Sequence, residues 1–229
     1  MDTPYLGSLL HLTDPTLPIG GYTHSNGLET YVQYEIVHNK ETAASYVVQM
    51  LKSNLKYTDA ALMKLAYDAT ALGDIELLIQ LDQECTALKS PKEIRIASQK
   101  LGLRLLKVFK RSIVDNRIHL FEKAIAEKKA DSHYCIVFGL FAQLMNIPLP
   151  EALYAFYYNA CIGMITNAVK LIPLGQLDGQ DILFELYPLL QELAVETLTI
   201  DRSLIGLCNS AFDIRCMQHE HLYSRLYMS

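Results

Sequence analysis

SPKEIRIASQKLGLRLLKVFKR, residues 90–111, reads as one amphipathic helix with its start signal attached. Ser90 is placed to cap the first turn, Pro91 suits the first helical position, and Glu93 stands where a capping-box carboxylate reaches back. Beyond it Ile94, Ala97, Leu101, Leu105 and Val108 recur at intervals of three and four, the spacing of an apolar stripe on a helix. The same pattern extends outward in both directions. It covers about Thr42 to Ala71, Asp74 to Lys89, Asp115 to Lys129, Gln180 to Thr197 and Ser203 to Leu222. Asp131 or Ser132 can cap a further helix through Asn146, and Pro148 and Pro150 then break it. Tyr34 to His38 is the only short strand candidate. The expected fold is therefore all-α, a single helical bundle domain over residues 1–229 with about nine or ten helices.

Composition agrees with a packed domain. Of 229 residues, 51% are apolar and 20% charged, which excludes a disordered chain. A formal charge of −5 provides no global basic field for nucleic acid. Five scattered cysteines without a Cys-x-x-Cys pair point to reduced thiols rather than a disulfide framework. The N-terminus lacks the basic segment and apolar run of a signal peptide, so a cytoplasmic location is expected. Ala152 to Val169 has no charged residue, yet Asn159, Thr166, Asn167 and three tyrosines would be costly in hydrocarbon. That stretch is expected to be a central bundle helix, and no membrane association is expected.

The two ends carry chemistry that helix packing does not explain. Near the start, PIGGYTHSNGLE (residues 18–29) is a shaped loop, with Pro18 fixing its own backbone and Gly20-Gly21 opening angles closed to other residues. It is either a tight turn between helices, with Asn26 and Glu29 capping the second, or a recognition loop. No phosphate-loop motif is present, which argues against nucleotide hydrolysis by that route. The other end, HEHLYSRLYMS (residues 219–229), stays apolar to its last residues, so it either folds back onto the bundle or is covered by a partner. Cys216, His219 and His221 are ligand types that suit nickel. Residues two apart on a continuing helix diverge, so His219 and His221 are at most transient metal contacts. No nucleophile–base pair stands out, and no catalytic residue is nominated.

Four segments, PIGGYTHSNGLE, RIASQKLGLR (95–104), NAVKLIPLGQLDGQ (167–180) and HEHLYSRLYMS, resemble the UreF family of urease accessory proteins in the same order. The resemblance runs from about Leu9 to Ser229. It implies an all-α homodimer that is not an enzyme. That homodimer bridges UreD (also called UreH) and the GTPase UreG, so that the complex inserts nickel into the urease apoprotein. GTP would be bound by UreG, nickel handled by the complex, and no cofactor held stably by this chain. The family's loop tyrosine falls on Tyr22 and its terminal arginine on Arg225. The motif residues Pro18, Gly20, Tyr22, His24, Gly27, Glu29, Arg95, Gln99, Arg104, His219, Glu220, Tyr223, Ser224, Arg225 and Leu226 form the implied partner-binding set. A tail from about residue 219 is expected to be ordered by its partner. The chain departs from the family with Gln218 and Met228, where many members have Arg, and with Lys170, where Arg is common. The rivals are a small helical hydrolase or transferase using His24, Glu29 or His219, and a membrane-associated helical adaptor. Finally, Lys89 to Arg111 holds eight basic residues against one acid, with Lys100, Arg104, Lys107 and Arg111 on one face. That face is either solvated or a docking surface for an acidic partner.

Overall fold

The computed structural model describes residues 4–21, 25, 27–207, 210–223 and 225–226. Its elements are α1 (Leu6–Leu12), α2 (Leu28–Gln33), α3 (Lys40–Gln49), a π-helical stretch (Met50–Ala60), α4 (Ala61–Leu72), α5 (Ile75–Leu88) and α6 (Lys92–Phe109). They continue with α7 (Asn116–Ala126), α8 (Tyr134–Leu144), α9 (Leu149–Leu171), α10 (Gln176–Leu198), a 3-10 turn (Arg202–Leu204) and α11 (Ser210–His219). The α3, π and α4 segments run without a break, so the described residues form ten helices and no strand. The all-α expectation is met, and Tyr34 to His38 closes α2 as turn rather than strand.

α8 is the centre. Every residue from Cys135 to Ala142 is buried, and the helix packs against α4 and α6. Two glycines permit that approach. A Cβ on Gly102 would lie 1.9 Å from the Ser132 carbonyl oxygen, and one on Gly139 would lie 2.4 Å from the Met63 carbonyl oxygen. Close entry at Gly102 also turns the buried face of α6 toward Ser98, Gly102, Leu106 and Phe109, so Ile94, Leu101 and Val108 are only half-buried. α9 and α10 form an antiparallel pair joined at Pro173 and Gly175. No helix among the described residues is long and apolar enough to cross a membrane.

Several local readings change. Pro91 is the residue before α6, so the helix starts one position late, and Glu93 is not part of a capping box. Neither Asp131 nor Ser132 caps α8: the N–H of its first residue, Tyr134, is accepted by Ser98 Oγ on α6 at 3.3 Å, and the segment before the helix is held by Asp82 on α5. Its carboxylate accepts the backbone N–H groups of Asp131, Ser132 (3.1 Å) and His133 (2.7 Å). The span read as one helix from Ser203 to Leu222 is divided: Gly206 takes a left-handed φ of 85° and donates its N–H to the Tyr57 carbonyl at 2.7 Å. Behind α5 sits an ion pair, Lys89 Nζ to Asp59 Oδ2 at 2.7 Å, with side chains 11% and 15% exposed. Burial alone would push Asp59 up, but Lys89 outweighs it and brings the carboxyl below its ordinary value.

Candidate functional site: the junction of the chain ends

The loop and the tail that stood apart in sequence meet on the N-terminal turn of α6. α11 packs on α2 and α6 and buries Phe212, Cys216 and His219. Thr30 Oγ1 donates to the Arg215 carbonyl at 3.0 Å, and the Arg215 guanidinium lies 4.7 Å from the centre of the Tyr34 ring, a cation–π distance. Gly27 makes the fit possible. Its φ is 80°, and a Cβ there would stand 2.7 Å from Cys216 Sγ.

At the centre is His219, 1% exposed. Its Nδ1 lies 2.7 Å from Glu93 Oε2 and its Nε2 lies 2.7 Å from Glu29 Oε2. A neutral imidazole has one N–H, so making both contacts as hydrogen bonds requires two hydrogens on the ring or one on a carboxyl group. The second oxygen of each carboxylate reaches the tail. Arg225 donates to Glu93 Oε1 at 2.7 Å, and the Leu226 backbone N–H donates to Glu29 Oε1 at 2.6 Å. One buried acid, Glu29, and one half-buried acid, Glu93, thus hold one helix end and one tail segment at once. Removing His219 from between them is costly, because it leaves Glu29 buried without its partner.

The implied partner-binding residues separate into groups. Gly27, Glu29, His219, Arg225 and Leu226 come together in this clasp. Pro18 and Gly20 flank Ile19, whose carbonyl accepts from Arg104 at 2.8 Å, so α6 also pins the early loop. Arg95 turns away to cap the end of α5, donating to the carbonyls of Lys89 (2.7 Å) and Ser90 (3.2 Å). Gln99 offers its backbone carbonyl to Ser132 Oγ. Glu220 begins the turn after α11, and Tyr223 is fully exposed. Tyr22, His24 and Ser224 lie outside the described residues, as does Asn26.

Glu93 was missed as a site residue. Its sequence signal was the capping box, and the same carboxylate is used instead to hold the tail. The transient metal candidates do not converge. His221 is exposed, both nitrogens of His219 face carboxylates, and Cys216 faces Gly27. Burial first, then the Asp213 and Glu93 carboxylates, push the Cys216 thiol up, which keeps its proton in place. Among the described residues no group of three His, Cys, Asp or Glu side chains could hold a metal ion.

Comparison with known proteins gives this arrangement its context. The UreF family model matches residues 37–187. The urease accessory protein UreF of Actinobacillus pleuropneumoniae serotype 5b is 51% identical over 224 residues, covering 98% of this chain and 99% of its own. UreF of Haemophilus influenzae is 50% identical over 224 residues, covering 98% of this chain and 95% of its own. UreF of Lachnoclostridium phytofermentans is 33% identical over 227 residues, with 98% and 99% covered. Each of these alignments covers 98% of this chain, whereas of the clasp acids and His219 the family model spans Glu93 alone. The chain belongs to the UreF family of urease accessory proteins.

Proposed function

We propose that this chain serves urease maturation as a non-enzymatic, homodimeric scaffold joining UreD to the GTPase UreG. Nickel passes to the urease apoprotein through the assembled complex, and GTP is bound and hydrolysed by UreG. The observation that carries this reading is the clasp itself: the two end motifs that mark the family converge on Glu29, Glu93 and His219. A surface made from both ends of a chain is present only when the chain is folded, which suits a partner that must recognise the intact scaffold. The hydrolase alternative would employ Glu29 or His219 on substrate, yet each is engaged with the other away from solvent. In this proposal UreD recognises the clasp and the adjoining Pro18–Gly20 loop.

A second copy has a suitable place to dock on α10. Leu177, Phe184, Pro188 and Val195 form one exposed stripe, with Leu177 78% and Phe184 63% exposed. At 1.5 Å per residue the stripe runs about 27 Å. Beside it Phe184 packs edge-on against Tyr187, and Tyr187 adjoins Tyr158 and through it Tyr154. An isologous interface needs one self-complementary apolar patch of this kind. Size-exclusion chromatography with light scattering tests both parts. Wild type should elute as a dimer, take up UreD, and then take up UreG with GTP. Phe184→Asp should shift the free protein toward monomer, raising its dimer dissociation constant by about tenfold or more. A wild-type monomer that ignores UreD and UreG would overturn the scaffold reading. A Phe184→Asp protein that remains fully dimeric would move the interface elsewhere.

A further inference from the structure

The fold uses half of the basic run on α6. Lys89 pairs with Asp59, Arg95 caps α5, Arg104 holds the Ile19 carbonyl, and Lys110 pairs with Glu122 at 2.5 Å. Lys100, Lys107 and Arg111 are exposed and have no ion pair or hydrogen bond among the described residues. At 100° per residue Lys100 and Lys107 lie within an arc of about 20° on α6, about 10 Å apart along its axis, and Arg111 follows in the turn just beyond the helix end. They form a row of uncommitted cations on one side of the molecule.

The row ends at a groove. The α6–α7 connection leaves a shallow, widely open cleft of about 410 Å³ lined by Arg111, Ile113, Val114, Ile118 and His119 among others. Val114 is 99% exposed. The acids at this cleft are already engaged, Asp115 by Arg117 and Glu122 by Lys110. The run from Lys89 to Arg111 carries +7 (eight basic residues less one acid), so the remainder of the −5 chain carries −12. An acidic ligand is therefore repelled from most of the molecule and steered to this row.

We propose that the α6 row and the adjoining cleft dock an acidic peptide segment of a partner protein. Its carboxylates would lie over Lys100, Lys107 and Arg111, and one apolar side chain would enter the cleft beside Ile113 and Val114. The surface shares no residue with the clasp, so it can be occupied independently of it.

The test is fluorescence anisotropy with a labelled Glu-rich peptide carrying a central Leu, on the full chain at low and high salt. Lys100→Glu, Lys107→Glu and Arg111→Glu together should raise the dissociation constant by about tenfold or more, and salt should weaken wild-type binding. Val114→Ser, or Ala for Leu in the peptide, should weaken it severalfold. Should the charge-reversed protein fail to fold, Lys100→Gln, Lys107→Gln and Arg111→Gln should give the same direction with smaller size. Absence of wild-type binding, or equal loss on reversing Lys123, Lys128 and Lys129 instead, would overturn the proposal. So would tighter binding of single-stranded RNA of equal charge, which would assign the row to nucleic acid.

Discussion

Replacing His219 by alanine should detach α11 from α2 and α6 while leaving the central bundle folded. The substitution leaves Glu29 and Glu93 facing an empty position, with Glu29 8% exposed. Two carboxylates brought together without the imidazole between them repel one another, and each loses a charge-assisted hydrogen bond. Removing one partner from a buried ionic cluster costs about 3–5 kcal/mol. The loss falls on one terminal helix, so it should appear as local opening more than as a change in global stability. Backbone amides of α11 and α2 should exchange roughly a hundredfold faster by hydrogen–deuterium exchange, which corresponds to about 3 kcal/mol. Amides of α8 should be unchanged. Uniform acceleration through α8 would show that the clasp supports the whole bundle, and no acceleration in α11 would show that His219 does not hold it.

Gly102→Val should yield no folded protein. The added Cβ would stand 1.9 Å from the Ser132 carbonyl oxygen and 2.8 Å from the His133 carbonyl carbon, both backbone atoms that cannot rotate aside. Relief would require separating α6 from α8 at the centre of the core, which opens space around Leu105, Leu106 and Phe138. Loss of packing there, added to the displaced Asp82 hydrogen bonds to residues 131–133, exceeds about 5 kcal/mol, comparable to the whole stability of many domains. Gly163, on α9, is the control. Nothing lies within 4 Å of its Cβ position, and Gly163→Ala should stabilise the helix by about 0.5–1 kcal/mol. Soluble yield and thermal melting of the two variants decide the matter. A cooperative melt for Gly102→Val near the wild-type temperature would contradict the close packing of α6 on α8.

How far the fold could be read from sequence depended on how local its causes were. The helical spans read from Asp74 and from Asp115 do begin there, and each aspartate caps its helix, since a capping side chain acts on the next turn of its own chain. What holds the start of α8 was invisible because Ser98 and Asp82 lie 36 and 51 residues away from the groups they accept from, and no local pattern announces them. The helix read through Ser203 to Leu222 failed because the Gly206 N–H is taken by Tyr57, a contact set by packing rather than by periodicity. The site was legible in the same uneven way. Both end motifs stood out as chemically unusual, and the residue joining them did not. Glu93 sits three residues after a serine and just inside a helix, where a capping role accounts for it locally. Only the tertiary arrival of His219 and Arg225 gives it another use. Arg95, drawn in by the resemblance, caps the end of α5, a tertiary use that its own helix pattern does not announce.

The central claim is that UreD recognises the surface formed where the two ends meet, and Arg225→Ala tests it with least disturbance to the fold. Arg225 is partly exposed, and its bond to Glu93 is screened by solvent, so its removal should change the melting temperature little. It nevertheless removes the guanidinium that ties the tail to the clasp. Titration of purified UreD against wild type and Arg225→Ala should show the variant binding at least about tenfold more weakly at unchanged stability. Equal affinity for the two proteins would contradict the account, and would place UreD on a surface that neither the tail nor the clasp helps to form.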